Sequence, residues 1–152
     1  GNYNDPVSLK LFGSSIIPSE DPQFLQSSRD GIWIRNDEVG NIGTAYNTAN
    51  GWLVHEIGHW LNLKHLEDGN PCFNEDGFAD TPAYNVGSLS AAIQGGLTCG
   101  QSFTDPACNI TFVPDNYMIG YVPQEFDACF ARFTPEQKQY ARLSVANLRP
   151  DV

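Results

Sequence analysis

The sequence predicts an α+β domain: a short first part containing strands, one helix that closes it, and a loop-rich second part ending in another helix. Three observations lead there. Val7 to Phe12 and Gly31 to Arg35 read as short strands between turn-forming flanks. An apolar stripe with helical spacing, expected to face the core away from the histidine side, runs through Leu53, Val54, Ile57, Trp60 and Leu61. All four cysteines, Cys72, Cys99, Cys108 and Cys129, follow that helix, and none belongs to a C-x-x-C pair, so two disulfides suit them better than a structural metal. With 152 residues, 41 % hydrophobic and 12 % aromatic, the chain can bury one core, and residues 1–152 are read as a single domain.

Taken in order, Ser14 to Arg29 is rich in Ser, Pro and acidic residues and is expected to be a loop between the two strands. Asn36 to Gly51, rich in Gly and Asn, leads into the helix, with Thr48 or Asn50 as its N-cap. Glu67 to Asn116 carries Gly, Asp, Asn, Pro and cysteine with no sustained period, so it is expected to lack regular structure and to need staples. Disulfides supply them by restricting the unfolded chain, and the sequence alone leaves three pairings open. Thr134-Pro135-Glu136-Gln137 has the order of a capping box with Pro at the first helical position, which predicts a helix from Pro135 to Leu148.

Charge and composition exclude several classes. The formal net charge is −10, from 8 basic and 18 acidic residues, which repels a phosphate backbone and argues against nucleic acid. No apolar run approaches the roughly 20 residues of a membrane span. Gly1 to Pro6 has neither the basic start nor the apolar stretch of a signal peptide, so any targeting segment is expected to have been removed or to lie outside this sequence. An even cysteine count suits an oxidising, extracellular compartment. Nothing in the sequence bears on oligomeric state.

The chemistry is concentrated between His55 and His65. All three histidines of the chain lie there, as His55-Glu56-Ile57-Gly58-His59 followed by His65. On a helix, His55 and His59 share a face and can reach one zinc ion, while Glu56 points to where a water would sit. His65, six residues after His59, cannot join from the same straight helix, so the helix must break. Asn62 stands at the break and is one of the few non-glycine residues that enter the left-handed conformation at modest cost. Three imidazoles and a glutamate make a site for metal-assisted hydrolysis, with Glu56 as general base.

With these residues the chain resembles the pappalysin family of the metzincin zinc endopeptidases, in its ulilysin- and cytophagalysin-like branch. The resemblance rests on the histidine motif, on Glu75-Asp76-Gly77-Phe78-Ala79-Asp80-Thr81-Pro82, on Asn116-Tyr117-Met118 and on Phe133-Thr134-Pro135-Glu136-Gln137. It covers most of Leu53 to Leu148 and only weakly the first 50 residues. It implies a metzincin-like zincin with an upper subdomain over residues 1–61 and a lower one over 62–152. Met118 is then structural, flooring the zinc without ligating it. The pairs Cys72 with Cys108 and Cys99 with Cys129 follow from the same likeness, as does a calcium site at Asp76, Ala79, Asp80 and Thr81, although a solvated acidic loop accounts for those residues equally. Protein or peptide is the implied substrate. Glu125 and Asp127 are candidates for favouring a basic side chain after the scissile bond, again against the alternative of a solvated loop.

Three departures from the family pattern stand out. Asn62 replaces the usual glycine at the break. The tyrosine normally two positions after the methionine is absent, that position being Gly120, and Tyr121 follows one later, which puts its catalytic part in doubt. Only 54 residues precede His55, fewer than the family's catalytic domain has, so upper strands and a backing helix are expected to be missing. Two other readings stay open: a truncated domain that holds zinc and binds a partner without catalysis, and a zinc exopeptidase or deacylase using the same ligands.

Overall fold

Where the histidine motif requires a turn, the computed structural model makes one at Asn62. The structure describes residues 13–20, 22–24, 30–40, 42, 51–67 and 71–149. Helix α1 spans Gly51–Trp60. It ends in a Schellman closure: the Asn62 N–H donates to the His59 carbonyl at 2.8 Å, the Leu63 N–H donates to the Gly58 carbonyl at 2.9 Å, and Asn62 has φ 71°. The Asn62 side chain does more than tolerate this angle. Its Oδ1 accepts from the Ser19 backbone N–H at 2.8 Å, and its Nδ2 donates to Tyr140 Oη at 2.8 Å.

Above the helix, β1 (Gly13–Ser15) pairs antiparallel with β2 (Ile32–Ile34), Gly13 opposite Ile34 and Ser15 opposite Ile32. The second strand falls inside the span expected for it. The two serines of the first fall in the stretch expected to be loop, because serine carries little strand propensity and their place is fixed by pairing with the Ile-Trp-Ile run. The expected strand at Val7 to Phe12 and the N-cap candidates Thr48 and Asn50 lie outside the described residues.

Burial along α1 differs from the expected pattern. Leu53, Val54, Ile57, Trp60 and Leu61 are only half-buried, whereas Trp52, His55, Glu56, Gly58 and His59 are buried. The lower half closes on the histidine side. Trp52 meets the Phe130 ring edge-on at 5.7 Å, and a Cβ on Gly58 would lie 2.3 Å from Met118 Sδ.

The lower half is also more regular than its composition suggested. Helix α2 (Val86–Gln94) starts at Asn85, whose side chain accepts from the Ser88 N–H, and closes through Gly96 at φ 102°. A hairpin follows, β3 (Phe103–Asp105) with β4 (Ile110–Phe112), which sets Phe103 edge-on to Phe112 and tilts Phe112 against buried Tyr84. Cys72 is bonded to Cys108 and Cys99 to Cys129. Helix α3 (Pro135–Leu148) has the expected bounds and capping box. Just past its end, Arg149 is 1 % exposed, bonds Asp30 at 2.6 Å and lies 4.1 Å over the Trp60 ring, joining the C-terminal end to the upper part.

Candidate metal centre

Three ring nitrogens converge below the upper strands. The Nε2 atoms of His55, His59 and His65 stand 3.0 to 3.1 Å from one another. At zinc–nitrogen distances near 2.0–2.1 Å, three corners of a tetrahedron lie about 3.3 Å apart, so the triangle has the size the ion requires. The opposite nitrogens explain the aim. His55 Nδ1 is 2.6 Å from the Tyr117 carbonyl and His59 Nδ1 is 2.8 Å from the Leu63 carbonyl. A carbonyl only accepts, so each Nδ1 carries the proton and each Nε2 turns a lone pair inward. Burial first, then the neighbouring His59 and His65, holds His55 well below the usual imidazole range, which keeps it neutral as a ligand must be. Two lone pairs so aimed, with a third imidazole nitrogen beside them, fit a cation of zinc's kind.

The floor of the site is built from the segment before α3. Met118 is fully buried beneath α1, and Gly58 leaves the space for its sulfur. The Met118 N–H donates to Asn116 Oδ1 at 2.8 Å, and Asn116 Nδ2 donates to Gln137 Oε1 at 2.9 Å. That same oxygen accepts from the Thr134 N–H, so the cap of α3 and the floor of the metal site share one carboxamide.

Gly120 and Tyr121 explain the departure seen in the sequence. A side chain at 120 would come within 3.0 Å of His65 Nε2 and 2.9 Å of Glu67 Oε1. Buried Glu67 bonds the Gly120 N–H at 2.6 Å and Tyr84 Oη at 2.5 Å, locking this turn. Tyr121, at φ 53° and 66 % exposed, stands edge-on to His65 with ring centres 5.1 Å apart. The tyrosine is thus beside the histidine cluster despite its offset.

Glu56 is buried next to the cluster. Burial raises its carboxyl above the usual range, while Ser15 and His65 pull it back. Its neighbours on β1 are Gly13 and Ser15, neither of which the motif reading singled out. The mid-helix Gly58, which costs about 1 kcal/mol relative to alanine, signals the close approach of Met118 and says nothing of β1.

The remaining candidates lie elsewhere. Asp76 Oδ1 accepts from the Phe78 N–H and the Thr81 hydroxyl at 3.1 and 2.9 Å. Asp80 accepts from the Glu136 N–H at 3.0 Å, while Glu136 accepts from the Ala79 N–H at 2.7 Å, so all four calcium candidates gather at the start of α3. Burial, with repulsion from Asp80 and Glu136, raises the Asp76 carboxyl despite its two donors. Asp127 is 1 % exposed and abuts Gly51, where a Cβ would meet its backbone carbonyl at 2.5 Å; it is no solvated loop residue. The side chain of Glu125 lies outside the described residues.

The chain is similar to known proteins over most of its length. Residues 38–146 match the pregnancy-associated plasma protein-A family of peptidases. An extracellular metalloprotease of Colletotrichum graminicola is 30 % identical over 129 residues, 84 % of this chain and 42 % of that protein. One from Sordaria macrospora is 35 % identical over 104 residues, 68 % of this chain and 32 % of that protein. Mature mirolysin of Tannerella forsythia, solved with a cleaved peptide, superposes with a TM-score of 0.64 at 30 % identity, covering 88 % of this chain and 47 % of that one. The chain therefore spans less than half the length of these relatives. With a family match across both the histidine motif and the Met118 floor, the chain belongs to the pappalysins, the pregnancy-associated plasma protein-A family of metallopeptidases.

Proposed function

We propose that this chain is the catalytic domain of a secreted zinc endopeptidase, its upper part at residues 1–61 and its lower part at 62–152. The observation that carries the reading is the closed triangle of three Nε2 atoms with buried Glu56 on the same helix. When bound, zinc supplies a Lewis acid that acidifies water to a pKa of about 7 and polarises a carbonyl. His55, His59 and His65 hold the ion as neutral imidazoles, the first two fixed by the Tyr117 and Leu63 carbonyls behind them. Glu56 takes a proton from the attacking water and returns it to the leaving amine, its raised carboxyl being suited to both halves of that exchange. Tyr121 lies close enough to the His65 side to donate to a developing oxyanion from its exposed position. The cleaved peptide in the mirolysin structure supports a peptide as substrate. Relatives named extracellular, together with the two disulfides, support secretion.

Metal analysis and peptide cleavage test the reading. One zinc per chain is expected, lost in His65→Ala, together with cleavage of blocked internal peptides that falls at least about a hundredfold in Glu56→Ala while the metal stays bound. A metal-free protein as purified, or unchanged turnover in Glu56→Ala, overturns it; activity confined to free-terminus or acyl substrates would favour the exopeptidase or deacylase reading. For calcium at Asp76, Ala79, Asp80 and Thr81, the support is the repulsion among Asp76, Asp80 and Glu136, which a divalent ion would relieve. Melting with calcium, with magnesium as control, should rise in the native chain and not in Asp76→Ala.

A further inference from the structure

The Glu56 carboxylate lies against one face of β1. A Cβ at position 13 would meet Glu56 Cγ at 2.7 Å and Oε1 at 3.0 Å, so glycine there leaves the room that the carboxylate fills. Two residues along, on the same face of the strand, Ser15 Oγ stands 3.1 Å from Glu56 Oε2 and 2.8 Å from the Glu56 backbone carbonyl. No other hydroxyl among the described residues is recorded on this carboxylate. The Glu56 side chain has three rotatable bonds, so its direction is set by these contacts and not by the helix alone.

We propose that Ser15 is a positioning residue for Glu56: its hydroxyl holds Oε2 and fixes the side chain so that Oε1 is the oxygen that carries the proton. This rests on Glu56 being the general base. A hydroxyl has one proton for two acceptors here, and the competing account is that it serves only the backbone carbonyl, as a staple between β1 and α1. The two accounts differ in what happens when the carboxylate is removed. A positioning bond disappears with the carboxylate; a staple does not. They differ as well in kinetics, since an orientation held through one charge-assisted bond contributes to turnover and not to substrate binding.

The experiment combines two measurements on the full chain. In the zinc-loaded protein, Ser15→Ala should lower kcat about tenfold with KM unchanged, and Ser15→Thr, which restores the hydroxyl, should recover most of it. In the metal-free protein, Ser15→Ala should lower the melting temperature, and this loss should vanish in a Glu56→Ala background. Melting needs no activity, so it reports on the Ser15–Glu56 bond even if Glu56 proves not to be the base. Undiminished kcat in Ser15→Ala, equal losses in the alanine and threonine variants, or a melting loss unchanged by Glu56→Ala would overturn the proposal.

Discussion

Single residues decide how closely the backbone can approach the metal. Gly58 sits between His55 and His59, where alanine would favour the helix by about 1 kcal/mol. Its Cβ would nevertheless press into Met118 at 2.3 Å. Gly58→Ala should therefore destabilise the protein by about 1–3 kcal/mol, visible as a lowered melting temperature. Gly120 makes a similar bargain with His65. Gly120→Ala should displace that imidazole and weaken zinc about tenfold or more, measured by competition with a chelator, with less effect on melting of the metal-free chain than on affinity. Asn62→Gly keeps the left-handed turn and relieves its backbone, but releases Ser19 and Tyr140 together; a net loss of about 1 kcal/mol in stability is expected by denaturant unfolding.

At the scale of elements, α3 is anchored by its first turn. Thr134→Ala should cost about 1 kcal/mol by removing the acceptor for the Gln137 N–H. Gln137→Ala should cost more and also lower zinc affinity, because Gln137 Oε1 serves both the Thr134 N–H and the Asn116 carboxamide that holds Met118; melting and chelator competition on the pair of variants check the difference. Both long helices were legible in the sequence, α3 because its capping box is written in consecutive residues and α1 because its histidines have meaning only on a helix. The face of α1 was misjudged, since spacing marks a stripe without saying that the lower half would enclose the polar side more completely. Helix α2 went unread because Val86, Leu89 and Ile93 are diluted by Gly and Ser; only the Asn85 cap and the Gly95-Gly96 stop gave it away. Strand β1 carried no signal of its own. Three residues that pair through their backbone and matter through Gly13 and Ser15 leave no pattern to detect, so the motif supplied the histidine cluster and Glu56 but not the strand that Glu56 packs against.

Across the whole molecule, the upper and lower parts are joined at separated points: Arg149 with Asp30, Asn62 with Ser19 and Tyr140, and Lys64 with Glu20. Loss of the metal should leave these joints in place, so chelated protein is expected to keep its far-ultraviolet circular dichroism while losing part of its thermal stability. The two disulfides add a different property. Cys72–Cys108 and Cys99–Cys129 overlap in sequence, so together they span residues 72 to 129 without a gap. A peptide bond cut anywhere in that interval leaves both fragments attached through at least one sulfur bridge. Nicking of the loop-rich half therefore does not shed a fragment. A clipped sample should run as one band without reductant and as two with it, whereas a cut between Trp60 and Cys72 should part the histidine-bearing helix from the disulfide-tied half under either condition.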